Sequence, residues 1–238
     1  MNNRNARPAA NQRTPRPSRR ATPAPTRLAR QRLRFTPYAW AKLTYLRDLG
    51  DTEIGGFGIA ASNDPLLIED VRLVAQHADW AAVAFDDAAV AALFDELVDA
   101  GRRPAEFARV WIHTHPGASA APSATDEATF ARAFGRCDWA VMAILARGGA
   151  TSARLRLTAG PGLAANLSIA VEFGVEFPPS NQAAWLAEYR ACVAATASLA
   201  DGEFAEPAAT DADPWRAYDE WRWTPLLAEE QPHGRHDE

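Results

Sequence analysis

The sequence has little cysteine and no long apolar segment. Its 238 residues include two cysteines, Cys137 and Cys192, which excludes a disulfide scaffold and a four-cysteine zinc site. The longest unbroken apolar run is the eight residues from Trp139 to Ala146, far short of the ~18 that a membrane span requires. The N-terminal region also lacks the apolar core of a secretory signal. We therefore expect a cytoplasmic protein without a membrane-spanning segment.

Acidic residues and lysine are missing from the N-terminal arm, residues 1–34. The arm holds ten arginines and five prolines and has too little apolar surface to offset the entropy of ordering, so we predict a disordered Arg/Pro-rich basic arm. Clustered arginines can bind nucleic acid through its phosphates. The arm lacks interleaved aromatic residues and any recognisable binding module, which favours a solvated or self-associating tail. A transit peptide also fits the composition, although the prolines oppose its amphipathic helix.

The C-terminal tail, residues 201–238, is acidic instead. Eleven Asp and Glu residues face three arginines there, and we predict a mostly disordered tail. Its exception is an aromatic cluster comprising Trp215, Tyr218, Trp221 and Trp223. Proteins rarely leave a cluster of large aromatic side chains in contact with solvent. The cluster therefore either docks on a partner protein or folds back on its own domain.

Residues 35–177 show the periodicities of an ordered domain. Thr36 and Pro37 begin a predicted helix, and Asp86 or Asp87 caps another that ends near residue 100. Helices are also predicted over 125–134 and 181–199, and strands over 53–60, 66–74, 107–115, 139–146, 152–157 and 167–177. Strands and helices are interspersed without regular alternation. The pattern therefore predicts an α/β (α+β) fold with a mixed β-sheet, followed by a C-terminal helix within 178–200.

Two histidines stand two residues apart in a segment that is predicted to be a strand. Side chains at i and i+2 of a strand project from the same face, so His113 and His115 point to one spot, as in a metal chelate. Ser123 and Asp126 follow, and imidazole and carboxylate both suit zinc. The spacing is that of a candidate metal site.

Two structural interpretations compete with metal binding. The histidines can form a hydrogen-bonded structural pair, and the segment from Ser123 to Asp126 resembles a capping box at a helix start. The second interpretation is compatible with a metal site, because a capped first turn is a rigid place from which to present Asp126.

These residues resemble the motif of the JAB/MPN metalloenzymes, also called the JAMM or MPN-plus family. The match comprises His113, His115, Ser123 and Asp126 in the family's order and spacing, and Glu53, whose Glu-Ile-Gly-Gly segment resembles the family's upstream strand. The resemblance covers about residues 35–177. No ligand of the motif is missing, which disfavours a metal-free scaffold.

The resemblance implies a curled mixed sheet flanked by helices, the cytidine-deaminase-like architecture, around a catalytic zinc ion. His113, His115 and Asp126 are then the zinc ligands, and the fourth tetrahedral position is left to water. Glu53 is the implied general base, which takes a proton from the attacking water and later delivers it to the leaving amine. Ser123 is implied to hydrogen-bond the developing oxyanion.

The resemblance also implies a substrate class, an amide or isopeptide bond after the C-terminal Gly-Gly of a ubiquitin-like protein. The chain has 24 arginines and one lysine, a composition typical of a GC-rich bacterial genome, so we expect a prokaryotic enzyme acting on a ubiquitin-like or sulfur-carrier protein. Three alternatives stay open. They are a zinc peptidase of the phage-tail or cell-wall type, a non-catalytic scaffold or binding module, and a nucleic-acid-binding protein that uses the N-terminal arm.

The remaining cysteines and histidines carry no predicted chemistry. Cys137 and Cys192 lie in apolar patterns without a neighbouring histidine, and we expect buried, inert thiols. His77 is isolated and is expected at the surface, as are His233 and His236 in the polar C-terminal end.

Overall fold

A computed structural model of the chain describes residues 31–78 and 82–195. The N-terminal arm up to residue 30 and the whole C-terminal tail, including its aromatic cluster, lie outside the described residues, as do His233 and His236. No helix in the described ranges is long and apolar enough to cross a membrane.

Strands and helices alternate irregularly along the described residues. The strands are β1 (Arg32–Phe35), β2 (Gly55–Ala61), β3 (Asp64–Leu73), β4 (Gln76–Ala78), β5 (Val83–Phe85), β6 (Val110–His115), β7 (Trp139–Ala146), β8 (Thr151–Leu157), β9 (Leu163–Val171) and β10 (Val193–Ala195). The helices are α1 (Pro37–Arg47), α2 (Asp87–Asp99), α3 (Pro104–Phe107), α4 (Ala124–Phe134) and α5 (Gln182–Cys192).

The main sheet is mixed and closes on itself. Its order is β1-β3-β2-β6-β7-β8-β9, and β1 pairs in parallel with both β3 and β9. Strands β6 and β7 are parallel, whereas β2 runs antiparallel to both β3 and β6. A second sheet has the order β10-β4-β5. The prediction of a mixed, curled sheet with flanking helices is confirmed, and the structure adds the closure by β1.

The central strands are buried on both faces, and their alternation divides the core in two. On β6, Val110 and Ile112 pack in one cluster with residues of α1, β1 and β8, whereas Trp111 packs in the other with Phe130 and Phe134 of α4. His113 and His115 share the Trp111 face of β6 because successive side chains alternate. The two histidines therefore lie on the face that α4 covers.

Local capping fixes the helix starts that the sequence predicts. The Thr36 side chain accepts a hydrogen bond from the Ala39 amide at 3.2 Å, with Pro37 in the first turn. Asp86 caps α2 in the same way through the Ala89 amide at 2.7 Å. The predicted strand from Trp139 to Ala146 is also confirmed, and it is buried along almost its whole length.

The structure corrects three predicted element boundaries. The helix predicted over 181–199 ends at Cys192, because the chain continues into β10, which pairs with β4. The strand predicted over 167–177 covers Leu163–Val171, where β8 pairs with residues 163–167 and β1 with residues 168–171. The strand predicted from residue 107 begins at Val110, because α3 occupies the preceding residues. The short strands β1, β4, β5 and β10 were not expected from the sequence pattern.

Strand β1 offers a direct test of barrel closure. Leu33 is fully buried opposite Ile169 of β9, and its neighbour Arg32 is exposed. We predict that Leu33→Ala lowers the free energy of unfolding by about 2–5 kcal/mol, through lost burial and the cavity that remains. Arg32→Ala, the matched control on the same strand, should change it by less than about 0.5 kcal/mol. Urea denaturation measures the free energy of unfolding of both variants. A loss in Leu33→Ala as small as that expected for Arg32→Ala would show that β1 does not hold the barrel closed.

Candidate metal centre

The end of β6 presents two imidazoles on one face of the main sheet. His113 is fully buried and His115 is 13% exposed, and their ring centroids lie 5.2 Å apart. Strand β2 flanks His113 on one side, where Gly55 is its register partner, and β7 flanks it on the other through Ile144. This central place in the sheet fixes the backbone of both histidines.

Helix α4 brings a carboxylate to the two imidazoles. The Ser123 side chain accepts a hydrogen bond from the Asp126 amide at 3.1 Å, and the Asp126 carboxylate accepts one from the Ser123 amide at 2.7 Å. This reciprocal pair is a capping box, so that structural interpretation of the sequence is confirmed. Because both bonds fix the first turn of α4, the Asp126 carboxylate is held against His113 at 3.2 Å and against His115 at 3.5 Å.

The three side chains have the arrangement of metal ligands. One potential ligand atom from each of His113, His115 and Asp126 lies within 4.8 Å of the other two. The Nε2 atoms of both histidines are buried and make no hydrogen bond of good geometry. Two imidazoles and a carboxylate are a donor set that suits zinc. The cluster can hold a metal ion, and its donors fit zinc.

The histidines are oriented in different ways. Nδ1 of His115 lies 2.9 Å from the Ser119 carbonyl oxygen, so a proton on Nδ1 leaves the lone pair of Nε2 toward Asp126. His113 instead stacks on Trp111, with ring centroids 4.3 Å apart and an interplanar angle of 28°. Neither Trp111 nor Ser119 is predicted from the sequence as part of the site. Strand alternation could have found Trp111, which stands two residues before His113, whereas nothing in the sequence singles out the Ser119 carbonyl.

Glu53 approaches the cluster from the residue pair before β2. Its carboxylate is 5% exposed, and Oε1 lies 3.7 Å from Nε2 of His115. The following residue, Ile54, is joined to Thr114 of β6 by two hydrogen bonds of 2.9 and 3.1 Å. Glu53 therefore borders the three potential ligands because Ile54, the next residue, is bonded to the strand that carries His113 and His115.

Close packing around the glycines of β2 supports this attachment. The Gly55 amide donates to the side-chain oxygen of Gln76 at 2.8 Å, and the Gln76 amide donates back to the Gly55 carbonyl at 2.9 Å. A Cβ atom on Gly56 would lie 2.6 Å from the carbonyl oxygen of Arg72 on β3. The glycine-rich segment thus permits a close approach of the β2 and β3 backbones.

Electrostatics favour a neutral imidazole and a carboxylate in the buried part of the cluster. Burial lowers the pKa of His113 and outweighs the opposing effect of Asp126. The Asp126 carboxylate raises the pKa of His115, against the smaller opposing effect of burial. Burial would raise the pKa of Asp126, but the two imidazoles and the Ser123 amide together bring it well below its ordinary value. Asp126 is therefore ionised, as a metal ligand must be.

Both cysteines, and the third histidine of the described residues, lie apart from this cluster. Cys137 is buried before β7, with its sulfur 3.1 Å from an Arg109 nitrogen, whereas the histidines pair with the far end of β7. Cys192 is half-buried at the end of α5, and burial raises the pKa of its thiol. His77 is exposed on β4.

Comparison with known proteins identifies the region that contains the cluster. A family model described as prokaryotic homologues of the JAB domain matches residues 51–158, which include Glu53, Ser123 and the three potential ligands. No curated protein matches the chain. The mixed, curled sheet with its flanking helices is consistent with the JAB/MPN fold. Residues 51–158 therefore match the JAB domain of the prokaryotic type, which supports a JAB/MPN assignment for this region of the chain.

Proposed function

We propose that the chain is a zinc-dependent hydrolase that cleaves an amide or isopeptide bond. The observation that carries the proposal is the buried convergence of His113, His115 and Asp126, with the Glu53 carboxylate beside them. A zinc ion held by these three ligands supplies Lewis acidity toward a carbonyl oxygen and makes water more acidic. Three protein ligands are the usual number for a catalytic zinc, since a structural zinc has four.

Glu53 is the proposed general base and general acid. A carboxylate in this role takes a proton from the attacking water and delivers it to the leaving amine. Its backbone is well fixed for such a transfer, because the neighbouring Ile54 and Gly55 are bonded to Thr114 and Gln76. Proton transfer requires this precision, since both heavy atoms must stay within hydrogen-bond reach.

Ser123 is the proposed hydrogen-bond donor to the oxyanion. Its hydroxyl oxygen already accepts the Asp126 amide, and the hydroxyl hydrogen stays available to donate. The capping box fixes the Ser123 side chain at the start of α4, next to Asp126. A donor that is in place before the reaction stabilises developing negative charge without reorganisation.

The proposed substrate is the C-terminal Gly-Gly end of a ubiquitin-like or sulfur-carrier protein, joined to an amine. Its support is the resemblance to the JAB/MPN enzymes, together with the small residues that border His115. The loop from Pro116 to Pro122 contains, between its two prolines, one glycine, one serine and three alanines. A Gly-Gly segment has no side chains and can pass through a narrow groove. The small residues of the 116–122 loop would leave room for such a groove beside His115.

Zinc binding is the first test of the proposal. We predict about one zinc ion per chain and its loss in Asp126→Asn, because the amide keeps the size of the side chain but removes the ligand charge. His113→Gln should lose zinc as well. The control Glu127→Gln alters the next carboxylate, which pairs with Arg154 at the surface, and should retain zinc. Elemental analysis that finds no zinc in the parent, or the same content in all variants, would end the metalloenzyme interpretation.

The second test separates the base from the ligands. Glu53→Gln should keep zinc and the melting temperature but lower turnover by about 10²–10⁴, the usual contribution of general acid–base catalysis. Glu96→Gln removes an exposed carboxylate that pairs with Arg72 and serves as the control. Cleavage by Glu53→Gln at the parental rate would assign the proton transfer to another group. Zinc binding without cleavage in the parent would favour the non-catalytic scaffold.

The third test concerns the substrate. A ubiquitin-like protein with an extended Gly-Gly end, fused through an amide to a reporter, should be cut after the second glycine. Cell-wall peptides should stay intact in the same assay, read by mass spectrometry. The opposite pattern would favour a zinc peptidase of the phage-tail or cell-wall type.

A further inference from the structure

The C-terminal segment, residues 182–195, contacts the chain on both sides of Glu53. It comprises α5 and β10 and lies beyond the matched family region, which ends at residue 158. Its contacts reach Gly50, three residues before Glu53, then Ile54, the residue after it, and, through Gln76, Gly55.

Tyr189 of α5 contacts the residues before Glu53. A Cβ atom on Gly50 would lie 2.2 Å from the Tyr189 hydroxyl oxygen and 3.5 Å from the ring carbon that bears it. The phenol thus rests directly on the Gly50 backbone, in space that any other residue at position 50 would fill. Burial raises the pKa of Tyr189, and the neighbouring Thr52 hydroxyl acts in the opposite direction. The phenol is therefore neutral and touches the chain at Gly50, three residues before Glu53.

Trp185 of α5 lies in the same buried cluster as Ile54, the residue after Glu53. Its side chain is 2% exposed and shares a cluster with Ile54, Leu46 and Leu73. The indole nitrogen donates to the Tyr38 hydroxyl at 3.1 Å, which fixes the ring in this position. The Ile54 side chain thus lies in the cluster that contains Trp185, while its backbone is bonded to Thr114 of β6.

Strand β10 supports the next residue, Gly55, through Gln76. Val193 of β10 is the register partner of Gln76 on β4, and the Gln76 side chain is the group that bonds the Gly55 backbone in both directions. Gln76 is 3% exposed, so its amide depends on these partners. The segment therefore contacts Gly50, shares a buried cluster with Ile54 and supports Gly55 indirectly through Gln76.

The segment is itself firmly attached to the domain by Glu188. This carboxylate accepts the Leu73 amide at 2.8 Å and pairs at 2.7 Å with Lys42, the one lysine of the chain, which is 2% exposed. Lys42 also pairs with Asp70 at 3.0 Å. Because the segment is fixed to α1 and β3 in this way, it can hold the residues that it contacts in one position.

We propose that the C-terminal segment sets the position of Glu53 and that Tyr189 is a positioning residue for its proton transfer. The proposal rests on the proposed function of Glu53. Residues 51–54 lie outside the regular strands and helices, since β2 begins at Gly55, so their conformation depends on the contacts around them. A displacement of the Glu53 carboxylate by about 1 Å would be enough to lower turnover strongly.

Gly50→Ala tests the contact between Tyr189 and Gly50 without changing the sequence of the C-terminal segment. The added methyl group overlaps the Tyr189 hydroxyl and must displace either the phenol or the loop. We expect amide hydrogen exchange in residues 50–55 to rise about tenfold, while exchange in β6 and zinc content stay at parental values. Adding Tyr189→Phe removes the overlapping oxygen, leaves the ring carbon at 3.5 Å, and should restore slow exchange. Arg190→Ala, on the exposed side of the same helix, is the control and should change nothing.

Turnover of the Gly-Gly fusion tests the consequence for catalysis. Gly50→Ala should lower kcat about tenfold to a hundredfold with KM unchanged, and Gly50→Ala combined with Tyr189→Phe should recover most of the loss. In the Glu53→Gln background, Gly50→Ala should cause no further loss, because the displaced group no longer transfers a proton.

Two results would overturn the proposal. One is parental hydrogen exchange of residues 50–55 in Gly50→Ala, and the other is an equal loss of kcat in the presence and absence of the Glu53 carboxylate. If the parent cleaves no fusion, the proposed function fails instead, and the exchange measurement still decides whether the segment holds residues 50–55. The two failures are therefore distinguishable.

Discussion

The buried carboxylate of Asp126 is the interaction on which the rest of the site depends. Asp126 is 5% exposed, and removing an isolated carboxylate from water to this extent would cost much free energy. Its oxygens therefore need compensating partners. The Ser123 amide donates to it at 2.7 Å, and the imidazoles of His113 and His115 lie 3.2 and 3.5 Å away. These partners come from a helix start and a strand end, so satisfying one charge requires that α4 and β6 meet at this point. A bound cation would complete the compensation.

The sheet makes that meeting point rigid. Strand β6 lies between β2 and β7, and its alternate residues pack in different core clusters, so it can neither slide nor turn over without exposing one of them. Trp111 fills the space below His113, and Ile54 ties the Glu53 loop to Thr114. The proposed hydrolysis needs such fixed groups, because zinc ligands, base and oxyanion donor must act on one carbonyl group. The C-terminal segment extends the same support to the far side of Glu53.

The predictable part of the fold is the part with strong local signals. Thr36 and Asp86 cap their helices as expected, and the apolar run of β7 is long enough to be recognised as a buried strand. Strands of three or four residues, such as β1 and β10, contain too few positions to show a period, and they exist because a neighbouring strand offers hydrogen bonds. The same reason explains the helix predicted to continue to residue 199. Beyond Cys192, hydrogen bonds to β4 replace those of the helix. The helical pattern of the sequence contains no information about this pairing with a distant strand.

By itself, the sequence determined the local half of the site. Strand alternation placed His113 and His115 on one face, and the spacing of Ser123 and Asp126 specified the capping box, because both depend only on neighbouring residues. The role of Glu53 entered only through the resemblance to the JAB/MPN enzymes. The tertiary structure alone decided that the start of α4 meets the end of β6, that Ile54 bonds a residue 60 positions away, and that Tyr189 rests on Gly50. Such contacts follow from barrel closure and strand register, which are set by the summed packing of the whole core and leave no mark in a short stretch of sequence.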